Sequence, residues 1–216
     1  MASAKRSRIY VIAGVNGAGK SSIGGATFRE FGAEYYNPDE AASRMLARNP
    51  ALSPTDANSA AWHQGVRLLR RAISERKDLA FETTLGANTI PRLLQEAAAQ
   101  GIEIYVWYVG LANAQLHIDR VEARVRRGGH AIAPELIERR FEQSRINLID
   151  LLPHLELRVY DNSVDADPAT GKSPKLKLLL HMKAGKIHNL DDLTSSPEWA
   201  KPILATALKL VKKRLF

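Results

Sequence analysis

The stretch Val11–Gly25, VIAGVNGAGKSSIGG, decides how this chain is read. An apolar run enters it, glycines and a lysine fill its middle, and a helix-compatible segment leaves it. Gly14, Gly19, Lys20 and Ser21 satisfy the spacing G-x-x-x-x-G-K-[ST] without a mismatch. Glycines let a backbone curl until successive N–H groups point inward at phosphate oxygens. A helix that follows adds its positive end. The lysine then reaches the β- and γ-phosphates, and the serine hydroxyl suits Mg²⁺. The competing reading is a glycine-rich turn with a fortuitous lysine, and the strand before and helix after argue against it. Gly14, Asn16, Gly17, Ala18, Gly19, Lys20, Ser21 and Ser22 are therefore placed around ATP, with Ser21 as the metal ligand.

Outward from the loop, short apolar runs alternate with helical patterns. RIYVIAG (8–14), AEYYNPD (33–39), LAFETTL (79–85), IEIYVWYVGL (102–111) and ELRVYDN (156–162) read as strands. Their near-continuous hydrophobicity points to parallel strands covered on both faces. Residues 19–31, 39–48, 55–76, 88–100, 113–127 and 134–152 read as helices, the fourth closed by Gly101. This alternation predicts an α/β fold: a doubly wound parallel sheet of about five strands, of the P-loop NTPase type. Residues 1–163 form the kinase-type domain, with a helical lid at about 113–150. Beyond it, DADPATGKSP is a turn-rich linker within a C-terminal extension, 164–216, expected to pack on the same domain. The extension reads as two short strands around Ala184-Gly185 and a basic helix.

Composition bounds the function. The chain has 216 residues, 45% of them hydrophobic and 25% charged, as in an ordinary globule. No run approaches the roughly 18 apolar residues of a membrane span. MASAKRSR is basic, but the IYVIAG behind it is too short for a signal peptide, so a cytoplasmic protein is expected. The absence of cysteine excludes disulfides and thiolate metal sites. A net charge of +8, from 31 Lys+Arg against 23 Asp+Glu, favours anionic partners such as nucleotides, nucleic acid or acidic surfaces. The tail KLVKKRLF contributes to that excess, though a basic tail also reads as a solvated helix face.

A phosphate loop alone does not separate kinases from other NTPases. No LSGGQ-like segment of the transporter ATPases and no NKxD-type base reader of the GTPases accompanies it, which leaves the small kinase plan. Asp39 ends the second strand run, where sites of doubly wound sheets lie. A carboxylate there can accept the proton of an attacking hydroxyl. It reads equally as a first-turn acid, with Asn37 as N-cap, Pro38 at the first helical position and Glu40 as capping-box partner. Glu82, at the carboxyl end of an apolar strand, meets a substrate hydroxyl, orders Mg²⁺-bound water, or is simply exposed there. Thr83 and Thr84 add hydroxyls beside it. Arg120, Arg124 and Arg127 share one helix face at i, i+4, i+7, GGH (128–130) breaks that helix, and Arg139 and Arg140 follow on the next. Arginines on a helix–loop–helix suit a lid over a triphosphate, although Glu122, Glu135, Glu138 and Glu142 offer surface partners. His130 reads as a loop residue. VYDNS (159–163) ends the last strand, either beside the adenine or as a plain turn.

GVNGAGKSS, YNPDEAA, FETTLG and RVEARVRRGGHAIAPELIERRFEQS, in this order, resemble the zeta-toxin-like P-loop kinases, over roughly residues 8 to 163. The resemblance implies a phosphotransferase that uses ATP and Mg²⁺ on an alcohol group; the best-known family acceptor is UDP-N-acetylglucosamine. By position, Lys20 and Ser21 match the loop pair and Asp39 the catalytic base. Glu82 and Thr83 match the substrate-strand acid and hydroxyl, and Asn37 and Arg120 are grouped with them at the substrate. Arg124 and Arg140 match the arginines that grip the γ-phosphate. The RVxxRVxxGGH wording is closer to the chromosomal, stand-alone branch. An antitoxin protein is the partner the family implies.

Three functions stay open on the sequence. The first is a small-molecule kinase, with Asp39 as base and Lys20, Mg²⁺ and the lid arginines stabilising the transferred phosphoryl. A polynucleotide or nucleoside kinase, suggested by the charge, is the second. The third is a nucleotide-binding regulatory module without transfer activity.

Overall fold

The computed structural model describes residues 6–20, 34–164 and 176–213. Ser21, Ser22, the helix expected to run from the loop to residue 31, and the linker at 165–174 lie outside these. In chain order the described elements are strand β1 (Arg8–Ala13), strand β2 (Glu34–Tyr36), helix α1 (Pro38–Arg48), helix α2 (Pro54–Glu75) and strand β3 (Leu79–Thr83). There follow helix α3 (Thr89–Ala99), strand β4 (Glu103–Gly110), helix α4 (Ala114–Val125), helix α5 (Pro134–Leu151) and strand β5 (Glu156–Asp161). Strands β6 (Lys177–Lys183) and β7 (Lys186–Leu190) and helix α6 (Lys201–Lys213) follow, and a short 3-10 helix (Leu152–His154) joins α5 to β5.

All seven strands join one sheet in the order β2-β3-β1-β4-β5-β6-β7. The first five are parallel, and β6 and β7 run antiparallel to their neighbours. The sheet is wider than the five strands expected, because the hairpin around Ala184-Gly185 pairs with β5 and extends it. The order reverses at β1: the chain leaves it toward β2 and β3 on one side and returns to β4 and β5 on the other. A doubly wound sheet opens a crevice at such a point, beyond the carboxyl ends of its strands. The loop after β1 lies there.

Strand alternation divides the residues of the sheet between two faces. Ile9 and Val11 of β1, Ile104 and Val106 of β4 and Leu157 and Val159 of β5 are buried in the main core. Leu69 of α2, Leu94 of α3, Leu148 of α5 and Leu204 of α6, none of them solvent-exposed, belong to the same core. Each such side chain is worth about 1.5–3 kcal/mol of transfer free energy. Ile12 and Ala80 begin a smaller cluster on the other face, with Tyr10, Tyr35 and Trp107. The Tyr10 and Tyr105 rings stack there at 5.3 Å.

Helix ends follow the residues that the sequence offers. Asn37 caps α1: its Oδ1 accepts from the N–H of Asp39 at 2.9 Å and of Glu40 at 3.3 Å, with Pro38 in the first turn. The capping box is only half made, since the Glu40 carboxylate lies 3.9 Å from Arg44. Gly101, at φ +78°, turns the chain out of α3 while Ile102 N–H bonds the Ala97 carbonyl at 3.1 Å. Helix α4 ends at Val125, two residues before its expected limit. Arg127 thereby leaves the shared arginine face, and its Nε returns to the carbonyl of Ala123 at 3.2 Å.

Candidate active site

The loop begins with a glycine that nothing else can replace. Gly14 has φ +141°, and a Cβ there would sit 2.2 Å from the Val109 carbonyl oxygen of β4. Gly17 (φ +82°) and Gly19 (φ +87°) lack the same room, against the His117 carbonyl at 2.7 Å and Asn162 Nδ2 at 2.6 Å. The loop is also pinned from several sides. Gly14 N–H bonds the Thr83 carbonyl at 3.2 Å. His117 Nδ1 bonds the Asn16 carbonyl at 2.8 Å, and Asn162 Nδ2 donates to the Ala18 carbonyl at 2.9 Å. Burial pushes the His117 pKa down to about 4, so the ring is neutral at physiological pH and Nδ1 donates.

Beside the loop lies a cavity of about 780 Å³. Asn16, Lys20, Asn37, Asp39, Glu82, Thr83 and Arg140, far apart in sequence, line it together. Burial holds the Lys20 ammonium pKa below its ordinary value, while Glu82 and Asp39 pull it back up. Glu82 is buried and accepts a short hydrogen bond from the Tyr35 hydroxyl. Burial raises its pKa above the usual carboxylate range, against the opposing pull of Lys20 and the tyrosine. Asp39 is exposed to the cavity, its Oδ2 3.9 Å from Arg124 Nη1. The exposed alternative for Glu82 is thus set aside, and the Asn37 cap fixes the turn that brings Asp39 to the cavity.

The arginines of α4 and α5 divide among three tasks. Arg140 reaches the loop, where its Nη1 donates to Asn16 Oδ1 at 2.8 Å. Its stem runs over Gly86, at which a Cβ would lie 2.5 Å from Arg140 Cγ. Arg124 holds the lid loop through the His130 carbonyl, 2.9 Å from Nη2, and keeps a buried Nε with no hydrogen-bond partner. Arg120 stands elsewhere than expected. It is absent from the cavity wall, and its Nη2 donates to the Asn162 carbonyl at 2.9 Å, beside Gly17. One turn before Arg124 on α4, it faces the end of β5.

Several residues at the site escaped the sequence reading. Tyr35 was detectable: β2 pairs Tyr35 with Ala80, which puts it on the face of Glu82, whereas Tyr36 turns inward to bond the Ala61 carbonyl. Asn58 and Trp62 of α2 line the far wall, and Asn58 Nδ2 meets His130 Nε2 at 2.8 Å, closing α2 against the lid loop. Nothing in a single helical pattern marks those two as different from their neighbours. Asn162 was noted only as turn chemistry or an adenine neighbour, and its grip on Ala18 is a long-range contact.

Residues 1–164 match the model of the family described as Zeta toxin. The chain belongs to the Zeta toxin family. An uncharacterized protein of Haemophilus influenzae is 30% identical over 129 residues, covering 59% of this chain and 88% of that protein. Among solved structures, one from the PezAT chromosomal toxin–antitoxin system of Streptococcus pneumoniae superimposes with a TM-score of 0.55. It is 15% identical and covers 99% of this chain and 87% of that one. The AvrRxo1-ORF1:-ORF2 complex with ATP gives a TM-score of 0.65 at 14% identity, covering 94% of this chain and 64% of its counterpart. At these identities the structures share the fold. Zeta toxin membership and this fold support a P-loop kinase, a phosphotransferase. Among the described residues no helix is long and apolar enough to cross a membrane.

Proposed function

We propose that this Zeta toxin family member transfers the γ-phosphoryl group of ATP to a hydroxyl of a small molecule. The observation that carries the reading is the convergence of Lys20, Asp39, Glu82 and Arg140 on one cavity beside the glycine loop. The residues fit a triphosphate: three glycines leave no room for side chains, Lys20 and Arg140 supply cationic donors, and Arg124 keeps an unused buried N–H. Lys20 is read as neutralising the phosphates. Arg140 and Arg124 meet the charge on the transferring group. Asp39 accepts the proton of the attacking hydroxyl. Glu82, fixed by Tyr35, accepts a hydrogen bond from an acceptor hydroxyl, and Thr83 and Asn37 stand beside it. Ser21 is the residue that would hold Mg²⁺, and the ion would supply neutralisation of phosphate charge. Few protein ligands suit Mg²⁺, in keeping with a cavity whose acids are engaged elsewhere.

A cavity of about 780 Å³ suits an acceptor larger than a simple sugar, and a nucleotide sugar such as UDP-N-acetylglucosamine is the acceptor we favour. An antitoxin-type protein is the partner that belongs with this reading, since one structural neighbour comes from a toxin–antitoxin system. The test is the Asp39→Asn variant with labelled ATP and a metabolite extract. Labelled product should fall by orders of magnitude while ATP binding persists. Undiminished labelling would remove Asp39 from the mechanism, and product in the wild type identifies the acceptor.

A further inference from the structure

Trp199 lies beyond the segment that the family model matches, yet it is packed directly beneath the nucleotide loop's support. It is 2% exposed, and its ring tilts against Tyr108 at 6.1 Å. A Cβ on Gly110 would lie 2.4–2.6 Å from three of its ring carbons, so β4 ends in glycine to admit the indole. Its Nε1 donates to Asp161 Oδ1 at 3.1 Å, and the same oxygen accepts from Ser163 Oγ at 2.5 Å. The turn that carries Trp199 is tied to the hairpin. Ser196 Oγ donates to Asp191 Oδ2 at 3.0 Å, and Asp191 pairs with Lys177 at 2.8 Å.

Asn162, the residue after Asp161, joins sheet to loop. Its N–H bonds the Gly110 carbonyl at 3.0 Å. Its side-chain amide holds the Ala18 carbonyl, and its own carbonyl receives Arg120. The amide nitrogen also fills the space a side chain on Gly19 would need. The two backbone positions that fix Asn162 are thus Gly110 and Asp161, and Trp199 bears on both.

We propose that Trp199 is a positioning residue for nucleotide binding, acting through Asp161 and Asn162 on the backbone at Ala18 and Gly19. The inference rests on the reading that this loop binds ATP. Displacing a clamp by a fraction of an ångström alters how well the loop amides meet phosphate oxygens, while the residues that face the acceptor stay in place.

The test is ATP affinity by calorimetry on the full chain, with circular dichroism and thermal unfolding as controls. Trp199→Phe, which keeps the ring and loses the N–H, should weaken ATP binding about fivefold, the worth of one net hydrogen bond. Asp161→Asn, which retains the accepting oxygen, should bind within about twofold of wild type. Asn162→Ala should weaken binding, and adding Trp199→Phe to it should cause no further loss. Equal affinity in Trp199→Phe and wild type, or additive losses in the double variant, would reduce Trp199 to a core plug and overturn the proposal. Should Trp199→Phe fail to fold, Ser163→Ala removes the other donor to the same oxygen. Weaker ATP binding there upholds the proposal and unchanged binding overturns it. A wild type that binds no ATP refutes the loop reading itself.

Discussion

Arg140 donates from Nη1 to Asn16 Oδ1 across 2.8 Å, so α5 touches the glycine loop directly. The guanidinium is buried enough that its pKa falls below the ordinary value, and its stem depends on the bareness of Gly86. Arg140→Ala should lower phosphoryl transfer by about 10²–10³-fold, as losing one donor to a transition-state oxyanion does. Gly86→Ala should lower it too, by pushing Arg140 aside. Combined, the two should cost no more than Arg140→Ala alone. Steady-state kinetics on the three variants checks this, and additive losses would mean Gly86 acts by another route.

Tyr35→Phe keeps the ring and removes the donor to Glu82. A buried carboxylate left short of a partner costs about 1–3 kcal/mol. Glu82 already has a raised pKa through burial, and losing the tyrosine bond raises it further. A carboxyl whose folded-state pKa is raised stabilises the fold at low pH and loses that contribution as pH rises through the folded value. The variant should therefore be less stable than wild type at neutral pH and converge with it in acid. Urea unfolding across that pH range reads the difference, and a deficit independent of pH would show that Glu82 is not the group involved.

His117 sets an acid limit. Its folded pKa is about 4 against an ordinary 6.5, so the neutral ring stabilises the fold above 6.5 and the contribution fades as pH falls toward 4. The full effect is about 3 kcal/mol at one unit per 1.36 kcal/mol. His117→Gln should flatten the stability curve between those limits relative to wild type. Parallel curves from denaturant titrations at several pH values would contradict this.

Gly14→Ala places a methyl group 2.2 Å from the Val109 carbonyl oxygen at φ +141°. Both faults are in backbone, which has no rotamer to yield. A loss of at least about 2 kcal/mol of stability is expected, together with loss of ATP binding by calorimetry. A variant that melts and binds like wild type would mean the loop relaxes freely.

How far the sequence led depended on the range of each interaction. The loop was legible because glycines, lysine and strand are neighbours in the chain. Asn37, Pro38 and Asp39 were legible for the same reason, a cap being a local event. Asp39, Glu82 and Arg140 were assigned to one site by family resemblance and by the rule that strand ends converge. Helical spacing gives Arg120 and Arg124 a shared face but not what each meets on it, and Arg120 meets the Asn162 carbonyl. Asn58 and Asn162 matter through partners many residues away, which no periodicity reports. The hairpin was recognised, but its pairing with β5 was not, since an antiparallel edge carries no mark of which strand it will join.

The addition of β6 and β7 to the sheet has a practical meaning for anyone trimming this polypeptide. A boundary drawn at residue 164 would strip β5 of its ladder on one side and leave Leu157 and Val159 beside an open flank, with the socket at Gly110 empty. Unpaired edges of that kind invite other chains. Homology and autonomous folding mark different limits in this molecule, and a soluble fragment should keep everything through α6.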